Sequence, residues 1–170
     1  MKGTPVFGLL NSVVSAFVLS LAILAGSAAS AGEQKTVVLT VDGLGVPLSF
    51  SIEDLDEIGT VSFETTTIWT DGLQQFRGVP LPDFLDHLGV ESGTMVATAV
   101  NDYSVSIPVD EASQDGPIIA FERNGAFMKL RDKGPLWIVY PYDSSEDFQT
   151  EVAHSRSIWQ LERIRFEKGQ

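Results

Sequence analysis

The sequence predicts a β-rich α+β domain with a few short helices. Short runs of alternating or β-branched apolar residues recur along the chain and are typical of strands. Only two or three short segments carry apolar residues at helical spacing. Strands and helices do not alternate regularly and no internal repeat occurs, which argues against a parallel α/β sheet and against a solenoid.

Composition narrows the function before any motif is considered. The chain of 170 residues carries 11 Lys and Arg against 23 Asp and Glu, which gives a net charge of −12. Because an acidic chain repels a phosphate backbone, we expect no nucleic-acid partner. The absence of cysteine excludes disulfides, a thiolate nucleophile and a cysteine metal ligand.

Residues 1–31 have the pattern of a secretory signal peptide. Lys2 is their only charged residue, residues 13–25 form an apolar run broken by two serines, and small residues lead up to Ala31. The run is shorter than the roughly 20 residues that span a bilayer, which disfavours a membrane anchor. We therefore expect cleavage after Ala31, export to a bacterial periplasm, and a single domain over residues 32–170.

The domain begins with a strand, a capped helix and a second strand. Residues 36–41 are rich in β-branched side chains and predict a strand. Ser51, followed three residues later by Asp54, has the spacing of a capping box, and Gly59 is expected to end the helix that Ser51 starts. Residues 61–69 predict the next strand, with alternate side chains on one face.

The middle of the domain predicts one further helix and a strand pair. The Gly-Val-Pro-Leu-Pro sequence at residues 78–82 leads into a helix over residues 83–88. Residues 95–100 and 103–107 predict strands, joined by an Asn-Asp turn. Residues 109–115 predict a short helical or irregular link.

The last third predicts three more strands and one loop. Residues 117–121 predict a buried strand, and the Arg-Asn-Gly sequence at residues 123–125 is typical of a hairpin turn. Residues 136–140 predict an apolar strand. Residues 143–152 are polar and acidic, so we expect an exposed loop, and residues 157–166 predict a single closing strand.

Three of the expected loops combine aromatic and polar residues. A flat heterocyclic ligand needs this combination, because stacking supplies affinity and oriented hydrogen-bonding groups supply specificity. The alternative is that the tryptophans belong to the core and that the arginine pairs with a surface acid. The candidate ligand-binding residues are Trp69, Thr70, Asp71, Asn101, Tyr103, Ser155, Arg156, Ser157 and Trp159.

Motifs for other kinds of site are missing from the sequence. The two histidines, His87 and His154, lie in unrelated contexts, and His87 is expected on the surface of its helix. No HxH, HExxH or calcium-type loop occurs, so we expect no protein metal site and no catalytic residue. No phosphate-binding glycine loop occurs, and no serine has a nucleophile-elbow context.

Five segments resemble the sulfite oxidase-type molybdopterin-binding domain. Residues 76–85 (FRGVPLPDFL) are similar to the family's W-x-G-V-P-L-x-D-L-L segment, and residues 103–112 (YSVSIPVDEA) to its Y-T-x-S-L-P-L-E-D-A run. Residues 119–125 resemble L-A-Y-x-M-N-G, residues 134–141 resemble G-A-P-V-R-L-V-V-P, and residues 157–164 resemble the closing K-W-V-K-R-I. The resemblance implies that family's β-rich fold of mixed sheets with a few short helices.

One residue of the family pattern is missing. In enzymes of that family a cysteine thiolate holds molybdenum, and its position falls at Thr65 to Thr67 here. A threonine hydroxyl is hard and weakly acidic, so it cannot replace a thiolate on the metal. We therefore expect that the chain is not a molybdenum enzyme and that it requires no cofactor.

A cysteine-free group of small exported proteins with this domain is also similar to the chain. That resemblance implies a periplasmic, non-enzymatic protein that binds a reduced pterin as a ligand. It further implies a partner in the inner membrane, a receptor such as a diguanylate cyclase, a phosphodiesterase or a sensor kinase. Trp69 and Trp159 are then expected to wall the pterin ring, Asp71 to accept from its amino and N–H groups, and Arg156 to donate to its carbonyl or tail.

Two other functions stay open at this point. One is a divergent oxidoreductase that uses a bound molybdenum cofactor without a protein thiolate. The other is an interaction domain whose pocket no longer binds a ligand. The metal content of natively purified protein separates the first from pterin binding, and a lack of ligand saturation identifies the second.

Overall fold

Eleven strands in two sheets and three short α-helices make up the described part of the chain. The computed structural model describes residues 35–167 and Gly3, so the expected signal peptide otherwise lies outside the described residues. Within residues 35–167, no helix has the length and apolar character needed to cross a bilayer. The helices are α1 (Ile52–Ile58), α2 (Leu81–Leu88) and α3 (Glu151–Arg156). The strands are β1 (Leu39–Asp42), β2 (Leu48–Phe50), β3 (Val61–Thr65), β4 (Gln74–Pro80), β5 (Thr94–Ala99), β6 (Ser104–Pro108), β7 (Ile118–Arg123), β8 (Ala126–Phe127), β9 (Trp137–Val139), β10 (Ile158–Trp159) and β11 (Leu161–Glu167).

The first sheet has the order β2-β1-β11-β5-β6. β1 runs parallel to β11, with Val41 opposite Ile164, and every other pair in this sheet is antiparallel. Val41, Ile164 and Met95 are almost fully buried, so one face of the sheet contributes to the core. This mixed, β-rich architecture is the one that the sequence predicts.

The second sheet has the order β10-β9-β7-β4-β3, and β8 pairs with β7 as a hairpin. All its pairs are antiparallel. Its central strands are apolar on both faces: Ile119, Ala120 and Phe121 of β7 have no exposed surface. A fully buried strand of this kind must be covered on both sides.

The Gly-Val-Pro-Leu segment has a structural explanation in the turn from β4 to α2. A Cβ at Gly78 would lie 2.1 Å from the carbonyl oxygen of Ile119, so only glycine allows β4 to approach β7 at the register shift beside it. Pro80 precedes α2 and Pro82 lies in its first turn, where a missing N–H costs nothing.

Three local predictions are wrong, and two strands, β2 and β4, were not predicted. The strand expected over residues 61–69 ends at Thr65, because the next residues form a turn in which the Thr67 and Thr70 hydroxyls bond each other at 2.8 Å. β4 was not predicted as a strand. Its start is polar (Gln74, Gln75), which hides the alternation.

The other two errors fall near the C-terminus. Residues 143–152 are not a loop throughout: they contain a 3₁₀ turn (Glu146–Phe148) and the start of α3, where Thr150 caps the helix by accepting from the Ala153 N–H. Residues 157–166 are two strands in different sheets. The break is at Gln160, which has φ 54° and donates its N–H to Lys133 O.

Candidate functional site

A cavity of about 350 Å³ opens where the β5–β6 turn of the first sheet meets β10 of the second. The β5–β6 side contributes the end of β5 and its turn, and the opposite side contributes α3, β10 and the loop after β3. The volume is at the lower end of the range for small-molecule sites. The lining residues are Trp69, Ala99, Asn101, Tyr103, His154, Ser157, Ile158 and Trp159.

Two indoles and an imidazole form the aromatic part of the cavity. The ring centroids of Trp69 and Trp159 lie 5.3 Å apart at 61°, and those of Trp69 and His154 lie 5.9 Å apart at 88°. Lys133 Nζ lies 4.7 Å from the Trp159 ring, a cation–π contact. Edge-on packing of this kind holds each ring in one orientation, so the cavity has a preformed aromatic wall.

The loop that carries Trp69 is tied down by threonine hydroxyls. The Trp69 N–H donates to Thr67 Oγ1 at 3.1 Å. Two residues before Thr67, at the end of β3, Thr65 is fully buried. Its hydroxyl donates to Thr66 O at 3.2 Å and accepts from the Asp143 N–H at 3.1 Å. Asp143 in turn accepts from the Thr66 N–H at 2.6 Å and from its hydroxyl at 2.8 Å. The β3 end and the segment after β9 are therefore joined by three hydrogen bonds.

The floor behind His154 is a buried hydroxyl pair. Tyr142 and Ser157 share a short hydrogen bond, and Ser157 Oγ also donates to Ala153 O at 2.8 Å. The Tyr142 and His154 rings lie 5.1 Å apart. Burial raises the pKa of Tyr142 to about 12, so this phenol stays neutral and serves as a structural group.

Arg156 lies outside the cavity lining and pairs with an acid. Its guanidinium donates two hydrogen bonds to the Glu111 carboxylate, the longer at 3.2 Å, and this pairing raises the arginine pKa. Burial raises the pKa of nearby Tyr140 to about 12, although Arg156 opposes the rise. The ion pair joins α3 to the turn after β6.

A second pocket, of about 370 Å³, shares Trp69 with the cavity. We call it the basic pocket, because three of its residues are cationic: Arg123, Arg131 and Lys133. The chain has only 11 Lys and Arg and a net charge of −12, so three cations in one pocket are a local exception. The remaining lining residues are Thr70, Asp71, Gln74 and Asp132.

The nine candidate residues thus divide into three groups. Trp69, Asn101, Tyr103, Ser157 and Trp159 line the cavity. Thr70 and Asp71 line the basic pocket. Ser155 and Arg156 line neither: the Ser155 hydroxyl donates to Val152 O, and Arg156 pairs with Glu111. The roles assigned to all nine stay predictions.

Sequence reasoning missed three lining residues, Ala99, His154 and Ile158. The imidazole was missed because no helix was predicted over the residues of α3. Thr150 is followed three residues later by an alanine instead of Glu or Gln, so the sequence gives little sign of a helix N-cap. His154 and Ser157, however, have the i, i+3 spacing of one helix face. Recognition of that helix would have placed both side chains together.

The comparisons with known proteins decide the family. Residues 27–144 match the model of the oxidoreductase molybdopterin binding domain, which is more than half of the chain. The chain belongs to this family. Its sequence contains no cysteine.

A solved structure supports the fold. The chain is similar to the sulfane dehydrogenase SoxCD from Paracoccus pantotrophus, with a TM-score of 0.57 and 20% identity over 77% of this chain and 38% of that chain. The chain thus spans less than half of that neighbour's length. At this identity the likeness establishes the sulfite oxidase-like fold alone. No curated protein matches the sequence.

The expectation that the chain requires no cofactor is wrong. It rested on the missing cysteine, but the chain belongs to the oxidoreductase molybdopterin binding domain family. A cysteine bears only on the metal end of such a cofactor. Its absence gives no argument against binding of the pterin end.

The described residues fit one part of a molybdopterin and not the other. The cavity offers aromatic walls, and Asn101 keeps its amide N–H groups free within residues 35–167, since only its Oδ1 is used, by the Tyr103 N–H at 3.2 Å. The metal end has no matching donor: Thr65 is buried and hydrogen-bonded to backbone. Among residues 35–167, no three His, Asp or Glu side chains cluster as metal ligands.

Proposed function

We propose that the chain is an exported, non-enzymatic protein of the periplasm that binds the pterin of a molybdopterin-type cofactor. The ring packs in the cavity against the aromatic wall that Trp69 and Trp159 form together, and occupancy is signalled to a receptor in the inner membrane. The observation that carries the proposal is this preformed cavity with aromatic walls and unused polar groups. The signal-peptide pattern of residues 1–31 supports export.

Ring binding follows from the chemistry of the lining. The indoles of Trp69 and Trp159 offer apolar surface to a flat heterocycle, which contributes most of the affinity. Asn101 and His154 supply donors and acceptors for the ring's amide edge. A polar edge that found no partner in the cavity would lose its bonds to water, so these two residues select for a ring that can hydrogen-bond.

The phosphate tail of a molybdopterin fits the basic pocket. Lys133 contacts both regions, because it lines the basic pocket and lies over the Trp159 ring of the cavity. Arg131 is about four-fifths exposed, with only a 3.6 Å contact to Asp132, so its guanidinium is available to an anion. Charge-assisted hydrogen bonds from arginine are well suited to a phosphate.

The donor set supports binding without catalysis. A molybdopterin supplies two thiolates of its own and, in the enzymes, the metal chemistry. This chain adds no thiolate, and Thr65 is engaged with backbone. The cavity residues hold and orient the ring, and His154 brings α3 into contact with it.

The test is a titration of the full chain with a molybdopterin-type pterin under anaerobic conditions, followed by tryptophan fluorescence. We expect saturable one-to-one binding that weakens about tenfold or more in Trp69→Ala, because a stacked aromatic contact contributes on the order of 1–3 kcal/mol. Phe127→Ala is the matched control, since Phe127 is 60% exposed and lies outside the cavity lining. Equal affinity in both variants contradicts the assignment of the cavity.

Family membership favours a second candidate function, an oxidoreductase that uses the cofactor without a protein thiolate. The two candidates differ in metal content and turnover. Stoichiometric molybdenum in natively purified protein, together with reduction or oxidation of a sulfur substrate, favours the enzyme. A bound pterin without turnover favours the binding protein.

A further inference from the structure

The outer edge of the second sheet is open. Among residues 35–167, β3 is its last strand and pairs only with β4. Outside that ladder, no backbone group of Val61 to Glu64 bonds another part of residues 35–167. Val61 is 45% exposed. An open strand edge offers a row of backbone donors and acceptors to which another extended segment can pair.

A groove of about 620 Å³ runs beside this edge, and we call it the β3 groove. Four apolar residues contribute to its lining: Phe63 of β3, Ile118 of β7, and Pro141 and Phe148 of the segment after β9. Phe148 is held by the Tyr140 ring, with centroids 5.9 Å apart. The groove therefore offers apolar surface to the side chains of an added strand.

The rim of the β3 groove is acidic. Asp115 and Asp147 line it and are exposed, and no Lys or Arg is among its lining residues. A second copy of this chain is a poor occupant, because its own edge carries Glu64 and its net charge is −12. The complementary occupant is an extended segment that carries lysine or arginine at its ends.

We propose that the β3 groove receives an extended, basic segment of a partner protein, which adds to the sheet as a strand beside β3. The partner is then the inner-membrane receptor of the proposed function. That identification rests on the proposed function, whereas the binding of a basic strand in the β3 groove does not.

Contacts join this groove to the cavity. Tyr142, between the groove residues Pro141 and Ser144, bonds the cavity residue Ser157. Asp143 holds the end of β3 through Thr66. A ligand that shifts Ser157 or Trp69 therefore acts on the same segment that walls the groove, which is why this edge is favoured over the other open edges.

The test uses two synthetic peptides and the full chain. The basic peptide is Lys-Val-Thr-Val-Thr-Val-Lys, and the acidic peptide replaces both lysines with glutamate. Amide hydrogen exchange measures protection of the β3 residues. We expect the basic peptide to protect Val61 to Thr65 and the acidic peptide to bind at least tenfold more weakly, with the difference shrinking at high salt.

Charge variants locate the binding. Asp115→Lys combined with Asp147→Lys is expected to weaken the basic peptide about three- to tenfold, while Asp86→Lys with Glu91→Lys, an equal charge change at exposed sites outside the groove, leaves it unchanged. No protection of β3 at millimolar peptide, or protection of β6 instead, overturns the proposal. Pterin affinity is measured in the same variants and is expected to be unaffected by these charge changes. Failure of the groove proposal and failure of the pterin proposal are therefore distinguishable.

Discussion

Trp69 connects the two pockets of the candidate site, since it lines both the cavity and the basic pocket. Its indole packs against four aromatic side chains, the nearest being Trp159 at 5.3 Å. At the residue scale the sequence was informative where an aromatic and a hydrogen-bonding residue occur together in a turn, as at Asn101 and Tyr103. It was uninformative for Lys133, because contact with Trp159 depends on a turn that only the folded chain forms.

Lys133 tests the assignment of the basic pocket. We expect Lys133→Ala to weaken a phosphate-bearing pterin about three- to tenfold and to leave a pterin without phosphate nearly unchanged, because one charge-assisted contact is lost. Isothermal titration calorimetry with both ligands measures the difference. An equal loss for both ligands means that the lysine acts only through Trp159.

Tyr140 and Tyr142 predict an alkaline limit of stability. Burial raises the pKa of each to about 12, whereas an unfolded tyrosine titrates near 10. Their contribution is complete below pH 10 and is lost as the pH rises from 10 to 12, because only the unfolded chain ionises readily. We expect the free energy of unfolding to fall by a few kcal/mol over this interval in urea titrations. A constant value up to pH 12 contradicts the buried environment of both phenols.

At the element scale, structure encoded by neighbouring residues was predictable and structure that needs distant contacts was not. The helix α1 begins where predicted, because Ser51 and Asp54 form a reciprocal capping box within one turn. The break between β10 and β11 depends on Lys133 O accepting from the Gln160 N–H. Nothing in the local sequence signals that bond.

Ser51→Ala tests the capping box of α1. Ser51 is 1% exposed and its hydroxyl accepts from the Asp54 N–H at 3.1 Å. We expect a loss of about 1 kcal/mol of unfolding free energy, as for other N-cap residues. Ser51→Thr, which keeps the hydroxyl, serves as the control and is expected to retain most of the stability in thermal or urea unfolding.

Gly78→Ala tests the close approach of β4 and β7. The added Cβ would lie 2.1 Å from a backbone oxygen that no side-chain rotation can move. We expect destabilisation of at least about 2–3 kcal/mol, as for other overpacked cores. Gly89→Ala is a useful comparison, because its added Cβ meets nothing within 4 Å and only its φ of 68° is unfavourable. Equal stability of both variants would show that β4 can move away from β7.

At the scale of the whole molecule, the two sheets bring together residues far apart in sequence. Asn101 and Tyr103 come from the first sheet, and Trp69 and Trp159 from the second. The family and the β-rich class were predictable from five spaced segments, whereas the cavity was not, because its walls come from three separate stretches of chain. The missing cysteine was overinterpreted. It is an argument about the metal ligand, whereas family membership still points to binding of a molybdopterin.

The central claim is that this chain holds a pterin, and native mass spectrometry of protein purified anaerobically from its native host tests it most directly. We expect one pterin for each chain, released as a fluorescent product on denaturation, and much less in Trp69→Ala than in Phe127→Ala. Wild-type protein that carries no pterin, and takes up none when a molybdopterin-type pterin is supplied at millimolar concentration, would contradict the account.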